Sequence, residues 1–358
     1  MKILFTHERF APDFAGGGEY VVLETARHLR RRGVDVRVLT MGDPSVTDYE
    51  GIPTQRLAGH RYRMNGKSRE IARAAADVDL IQTFNYHACY PSFRAGRTLR
   101  KPVVCQFLAV FGKAWLEMKG PWIGRAFQAY ERFLLGLPFA RSVFLSSYSM
   151  ELARSLGPAL PKGQIIAPGI DLVHYAPRWP KDPIVLFVGK LDVRKGVDDI
   201  LEAARQLPHV SFLMYGWGER EASLRASAPL NVKVESFERG MPLVDRFARA
   251  RVFVFPSRAE TFGIAIVEAM ASGCAIVSSI PVGFEGVPIV AGDMDGLVRA
   301  LQQLWDDPSE CERMGRVNMQ RAENFTWERC IDLTIAMYEE ILSAPPSMST
   351  TSGVRAKS

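Results

Sequence analysis

A proline-laden joint divides this chain into two halves with the same pattern. The stretch 167–183, APGIDLVHYAPRWPKDP, carries four prolines. Proline fixes φ and removes a backbone donor, so this stretch reads as a linker between two domains. Before it, short apolar runs alternate with runs of helical period. KILFTH (2–7), DVRVLT (35–40), DLIQT (79–83), PVVCQF (102–107) and SVFLS (142–146) read as strands. Val22, Leu23, Ala26 and Leu29 mark a helix over 19–31, with Gly33 as its stop. The alternation restarts with IVLFVG (184–189), SFLMYG (211–216), VKVES (232–236), VFVFP (252–256) and AIVSS (275–279). Helices over 197–205, 244–250 and 264–271 fall between these strands. Such alternation predicts parallel sheets covered by helices on both faces. Two more helices are expected at 310–324 and 327–342. The 41–66 stretch carries few signals and is expected to be a mobile loop. The tail from Ser343, rich in Ser, Thr, Pro and Lys, is expected to be disordered.

Composition narrows the class. A length of 358 residues suits two domains, and 47% hydrophobic with 23% charged residues is ordinary globular usage. Five scattered cysteines, none in a Cys-x-x-Cys pair, argue against a disulfide framework or a cysteine-rich zinc site and for a reducing compartment. MKILFTHERF has only three consecutive apolar residues after its lysine, too few for the apolar core of a signal peptide. No apolar run approaches the ~20 residues that span a bilayer. The expectation is a soluble, cytoplasmic protein. Charge is unevenly divided: residues 1–170 carry +10 and the remainder −4.

The residues that suggest chemistry cluster after strands. In FPSRAETFGIAIVEAMASGCAIVSS (255–279) a strand ends at Pro256, a polar loop carries Glu260, Thr261, Phe262 and Gly263, and a helix opens at Ile264 and holds Glu268. Unpaired N–H groups and the dipole at a helix start suit an anion such as phosphate. Two carboxylates, one on the loop and one in the helix, suit the hydroxyls of a sugar. In FVGKLDVRKGVDDILEA (187–203) a strand ends at Gly189 and a loop bears Lys190, Arg194 and Lys195, a set that suits a pyrophosphate or an ordinary solvated surface. In APDFAGGGEYVVLETARHL (11–29) three glycines precede a helix without the G-x-G-x-x-G spacing, which disfavours a nicotinamide cofactor. They form either a flexible ligand-facing loop or a loose turn. YGWGERE (215–221) adds a Gly-x-Gly turn after a strand.

The order of Gly-rich loop, GKLDVRKG, YGWGE, SRAETFGIAIVEAMASG and NFTW resembles the retaining glycosyltransferases of family 4 across about residues 1–342. The resemblance implies an α/β protein of GT-B architecture, two Rossmann-like doubly wound parallel-sheet domains facing across a cleft. Residues 1–170 would be the acceptor-side domain and 183–326 the nucleotide-sugar domain. The helix 327–342 would pack back on the first domain, and 343–358 would form the tail. Glu260 would hold donor-sugar hydroxyls and Glu268 the ribose. Lys190 and Lys195 would bind the pyrophosphate. Thr261, Phe262, Gly263 and Ile264 would face sugar and phosphate, and Gly17, Gly18 and Gly216 would line the donor. The catalytic set would be Lys190, Lys195 and Glu260, with no metal. Lys190 replaces the usual arginine. A common family histidine is absent after PVVCQF, where Phe107, Leu108 and Ala109 stand, and another falls at Gln82. His87 and Glu285 are candidate substitutes for family residues.

The function implied is transfer of a hexose-type sugar from a nucleoside-diphosphate sugar, UDP ahead of GDP, to a hydroxyl of a glycan or lipid-linked acceptor. It would proceed by front-face attack, without metal or cofactor, in cell-surface glycan or glycolipid synthesis. The basic first half and GKAWLEMKGPWIGRAF (112–127), which mixes cations with Trp, are compatible with peripheral contact at an anionic inner membrane face, with a polyanionic acceptor, or with plain surface. Nucleic acid is not an expected partner. A different GT-B enzyme, such as a nucleotide-sugar epimerase or a phosphorylase-like transferase, and a non-catalytic nucleotide-sugar-binding partner stay open.

Overall fold

A computed structural model describes residues 1–13, 16–157, 159–160, 162–238 and 240–344. Two sheets organise it. The first contains β1 (Lys2–Thr6), β2 (Asp35–Met41), β3 (Asp48–Tyr49), β4 (Ile52–Leu57), β5 (Leu80–Phe84), β6 (Val103–Phe107), β7 (Arg141–Phe144) and β8 (Gly163–Ile165). Their order is β3-β4-β2-β1-β5-β6-β7-β8, parallel throughout except for β3 against β4. The second contains β9 (Asp182–Lys190), β10 (Phe212–Trp217), β11 (Val232–Ser236), β12 (Ala250–Phe255), β13 (Ala275–Ser278) and β14 (Gly286–Pro288). It is wholly parallel, in the order β11-β10-β9-β12-β13-β14.

Neighbouring side chains on β1 enter different cores. Ile3 and Phe5 join one cluster with Val22, Ala26 and Leu29, whereas Leu4 joins another with Ile71, Ala95 and Leu134. The first sheet is therefore covered on both faces, which is why its strands read as unbroken apolar runs. In each sheet the strand order reverses beside the first strand, between β1 and β5 and between β9 and β12. The crevice beyond the carboxyl ends of such a pair is where open α/β sheets bind ligands. In the second sheet it is flanked by the loops that follow Lys190 and Phe255.

Several expectations are corrected. The 41–66 stretch is not a loop: it holds β3, β4 and a 3-10 turn over Arg61–Gly66. Burial alternates along IPTQRL, but the inward set includes Thr54 and Arg56, so apolar periodicity is missing. Arg56 is buried and donates to the carbonyls of Phe10, Ala11 and Val46. The first helix begins at Gly17 rather than 19, so Gly17 and Gly18 form its first turn. A helix at Met294–Asp306, capped by the Asp293 carboxylate on Gly296 N at 3.0 Å, and the three-residue strands β8 and β14 add to the expected set. The last helix reaches Ser343; beyond Ala344 the expected tail lies outside the described residues.

The proline-rich joint is firmly seated. Lys181 is buried, its ammonium donating to Ala248 O at 2.7 Å and Ser272 O at 2.5 Å. Residues 169–170 meet the segment 325–327: Ile170 N donates to Phe325 O at 2.8 Å, and a Cβ on Gly169 would lie 2.2 Å from Trp327 N. The helix Trp327–Ser343 then packs on Gly17–Arg31. Trp327 stacks on His28 with centroids 5.3 Å apart, Arg32 meets Asp332 at 2.7 Å, and the Tyr338 hydroxyl bonds to buried Gln82. Trp327 is 3% exposed. Trp327→Ala is expected to cost ~3–5 kcal/mol through transfer and cavity formation, read as a lowered midpoint in urea unfolding followed by circular dichroism.

Candidate functional site

The loops after β9 and β12 are laced together. The first turns through a 3-10 helix at Val193–Lys195, with the Asp192 carboxylate accepting from Lys195 N at 3.1 Å. Gly196 follows at φ +70, where a Cβ would lie 2.4 Å from Pro256 O. Arg258 N donates to Arg194 O at 2.8 Å, and Arg194 Nη1 donates to Ala259 O at 2.8 Å. This lacing brings Lys195 and Glu260 into a direct ion pair. Lys195 is 8% exposed, and its Nζ also lies 4.7 Å from the centre of the Phe255 ring.

Electrostatics oppose burial at both members of the pair. Burial alone would raise the Glu260 carboxyl, but the charges of Lys195 and Arg194, with hydrogen bonds from Lys195 and Thr261 N, outweigh it and hold the group at about 2. Burial pulls the Lys195 ammonium below its ordinary value, opposed by Glu260. Lys190 lies nearer solvent, 3.7 Å from Asp192, which also meets Arg194 at 3.6 Å.

Gly263 has φ +78 and precedes the helix Ile264–Ala271, whose first N–H groups have no partners within the helix. The start of the first domain's helix stands close by: a Cβ on Gly17 would lie 3.7 Å from Ile264 Cδ1, and one on Gly18 would lie 3.5 Å from Leu108 Cδ1. The positive ends of two helix dipoles from different domains thus converge near the Lys195–Glu260 pair, an arrangement that favours an anion between them. Thr261 couples the domains, donating from Oγ1 to Leu108 O at 2.8 Å and accepting at its carbonyl from Ser146 Oγ at 2.7 Å. Phe262 is buried, its ring edge-on to Phe325. Among the described residues no group of three or more His, Cys, Asp or Glu side chains converges in a way that could hold a metal ion.

The other expected residues take varied places. Glu268 accepts from Tyr175 OH at 2.6 Å, so a residue of the joint orients it. Gly216 pairs with Gly189 near the carboxyl ends of β10 and β9; a Cβ there would lie 2.2 Å from Gly189 O, so this glycine lets the end of β9 lie close. His87 contacts Asn65 Nδ2 at 3.0 Å and the Tyr62 ring. Glu285 is held by Arg313 at 3.0 Å and Arg321 at 2.8 Å. Gln82 bonds to Gln106 at 3.0 Å as well as to Tyr338, within the first core.

Two organising groups carry no local sequence signal. Glu131, fully buried, accepts from Phe111 N (2.9 Å), Gly112 N (2.7 Å), Trp115 Nε1 (3.2 Å) and Tyr86 OH (2.6 Å). Asn85 accepts from Leu108 N at 2.8 Å and donates to Ala109 O. Together they fix the loop after β6, which forms one wall of a 770 Å³ cavity. Tyr148, Ala259 and Glu260 also line it.

The description "Glycosyltransferase Family 4" matches residues 15–174, and "Glycosyl transferases group 1" matches 182–307. D-inositol 3-phosphate glycosyltransferase 1 of Catenulispora acidiphila is 25% identical, covering 92% of this chain and 91% of that protein. O-antigen chain mannosyltransferase C of Escherichia coli is 26% identical, covering 96% and 100%. Among solved structures, sucrose-phosphate synthase of Thermosynechococcus elongatus superposes with a TM-score of 0.80 at 20% identity, covering 96% and 100%. Anabaena HepE in complex with UDP and glucose gives 0.76 at 17%, covering 95% and 100%. The fold is the GT-B architecture of these enzymes.

The depressed Glu260 value has a pH consequence. Its folded pKa, about 2, lies below the ordinary 4.5, so the pair's stabilisation is present above pH 4.5 and is lost as pH falls toward 2. Glu260→Gln leaves Lys195 buried without its counter-ion. The stability gap between native protein and variant is expected to be widest above pH 4.5 and to narrow from there toward pH 2, measured by urea titrations across that range.

Proposed function

This chain belongs to glycosyltransferase family 4, and from that premise we propose that it is a retaining enzyme using a nucleoside-diphosphate hexose. UDP is favoured over GDP as the donor nucleotide, and the acceptor is a hydroxyl of a glycan or lipid-linked molecule. The observation that carries this reading is the buried Lys195–Glu260 pair beside two converging helix starts. HepE, a fold neighbour, is described with UDP, with UDP and glucose, and with UDP-glucose.

Breaking the bond between sugar and phosphate puts negative charge on the leaving diphosphate. Lys195 uses one of its three N–H donors on Glu260 and keeps the others for that charge. Its position is set before the donor arrives, so stabilising the leaving group needs little reorganisation. Lys190, at the end of β9, adds a second and more solvated cation. The N–H groups following Gly263 and the helix start at Gly17 complete an electropositive cradle that needs neither metal nor cofactor. Glu260 turns its remaining acceptor capacity to sugar hydroxyls, and Glu268, oriented by Tyr175, accepts from the ribose. Thr261 holds the loop in register with the opposite domain, Phe262 anchors it in the second sheet's own core, and Gly18 and Gly216 allow close backbone approach. The acceptor hydroxyl attacks from the face the diphosphate leaves, and the leaving phosphate takes its proton, so no histidine at Gln82 or beyond Phe107 is required.

No helix among the described residues is long and apolar enough to cross a membrane. Exposed Trp122 (81%) and Ile123 (58%) stand at the start of the helix Pro121–Leu135, with Lys119 and Arg125 alongside. An interfacial aromatic flanked by cations suits peripheral contact with an anionic bilayer. The reading places the enzyme on the cytoplasmic side of such a membrane, in cell-surface glycan or glycolipid synthesis.

The deciding experiment follows release of free nucleotide and of sugar from UDP- and GDP-hexoses by the purified protein. An epimerase would convert the donor without releasing nucleotide during turnover, and a binding partner would bind without turnover. Turnover is expected to persist in EDTA; complete loss restored by Mg²⁺ or Mn²⁺ would overturn the metal-free cradle. Lys195→Ala is expected to lower kcat by ~10²–10³-fold, as for loss of an oxyanion-stabilising donor, with a smaller rise in donor KM. Near-native kcat in a folded variant would remove Lys195 from catalysis, and a change confined to KM would make it a ground-state binding group.

A further inference from the structure

The 770 Å³ cavity beside Glu260 carries an uncompensated charge. From the second half of the chain its lining takes Arg258 and Glu260, and both are already partnered: Arg258 meets Asp199 at 2.8 Å and Glu260 meets Lys195. From the first half of the chain the lining takes Lys113, Arg125 and Arg132, from the loop after β6 and the helix Pro121–Leu135. All three are exposed, and none has an acidic partner among the described residues. Glu117 is the single carboxylate that the first half contributes to the lining. The backbone beneath this part of the lining is rigid, because buried Glu131 holds Phe111, Gly112 and Trp115.

Like charges gathered in the lining of a concavity repel one another and focus the field into it. A cavity meant for a neutral sugar chain gains nothing from three such cations. A phosphate does, because guanidinium groups meet its oxygens with paired, charge-assisted hydrogen bonds. On the reading that this cleft receives the acceptor, we propose that the acceptor carries a phosphate group. Lys113, Arg125 and Arg132 seat that phosphate and so turn the acceptor's hydroxyl toward Glu260. The group is a phosphate ester, either on a soluble sugar phosphate or in the headgroup of a lipid.

The test uses the full chain with UDP at saturation, so that the pyrophosphate subsite is filled. Glucose 6-phosphate and glucose are titrated by calorimetry, and vesicles of phosphatidylcholine with and without phosphatidylglycerol are tested by co-sedimentation. Three proteins are compared: native, Lys113→Ala/Arg132→Ala, and Arg69→Ala/Arg94→Ala, which removes equal charge outside the cavity. Saturable binding of glucose 6-phosphate but not glucose, weakened about tenfold or more only in the cavity variant, supports the site with a soluble ester. Absence of that binding, with phosphatidylglycerol vesicles bound by the native and control proteins but not by the cavity variant, supports it with a lipid as the source. Equal binding by all three proteins, equal binding of glucose, or no binding of either probe overturns it. The UDP titration stands apart. Failure to bind UDP would sink the donor reading, and the phosphate comparison would then be run without nucleotide. Retained UDP binding shows that the cavity variant is folded.

Discussion

The buried ion pair between Lys195 and Glu260 is the constraint on which the rest of the site depends. Two charges withdrawn from water are tolerable only when each finds the other in good geometry. These two residues lie on loops after different strands, so the loops must be locked together first. Gly196 lets Pro256 approach, Arg194 bridges to Ala259, and Asp192 fixes the turn that aims Lys195. The strand order puts both loops at the reversal point between β9 and β12, where no connection crosses the crevice. A charged site at the end of a parallel sheet is thus built by topology and stiffened by loop packing before any ligand enters.

The same constraint reaches the other domain. Glu260 accepts from Thr261 N, which sets Thr261 so that its hydroxyl meets Leu108 O and its carbonyl meets Ser146. Leu108 packs against the cores of both sheets and stands over Gly18. Its own position depends on Asn85, and the residues beyond it depend on Glu131. The cleft floor is therefore one continuous hydrogen-bonded unit made from both halves of the chain. The chain crosses between the halves where 169–170 pairs with 325–327, and Phe325 of that crossing packs on Phe262 beside Thr261.

The inner strands were legible in the sequence because strands covered on both faces must be apolar at every position, as in IVLFVG. The Glu260-to-Glu268 string and the Lys190–Lys195 loop were legible because strand, polar loop and helix start follow one another locally. Their contact was not, since 65 residues separate Lys195 from Glu260 and only the strand order brings them together. β4 escaped because Arg56 turns inward to satisfy carbonyls, which erases the apolar alternation. Glu131 sits on an ordinary amphipathic helix, and Tyr175 lies in a stretch that looks like a linker. The roles of both arise wholly from tertiary convergence. The glycine run marked the approach to a helix but not that Gly17 and Gly18 lie inside it.

The two halves treat charge differently. In the second half the inner cations have counter-ions: Lys195 has Glu260, Arg258 has Asp199, and Lys190 and Arg194 share Asp192. A compensated cation is held in place and adds little standing field, so it acts most on charge that grows during reaction. In the first half the cleft cations Lys113, Arg125 and Arg132 stand without acidic partners among the described residues, on a backbone made rigid by Glu131. An uncompensated cation keeps its field at all times and favours a ligand that arrives already charged. The charge balance of +10 over residues 1–170 against −4 over the remainder is the sequence-level trace of that division.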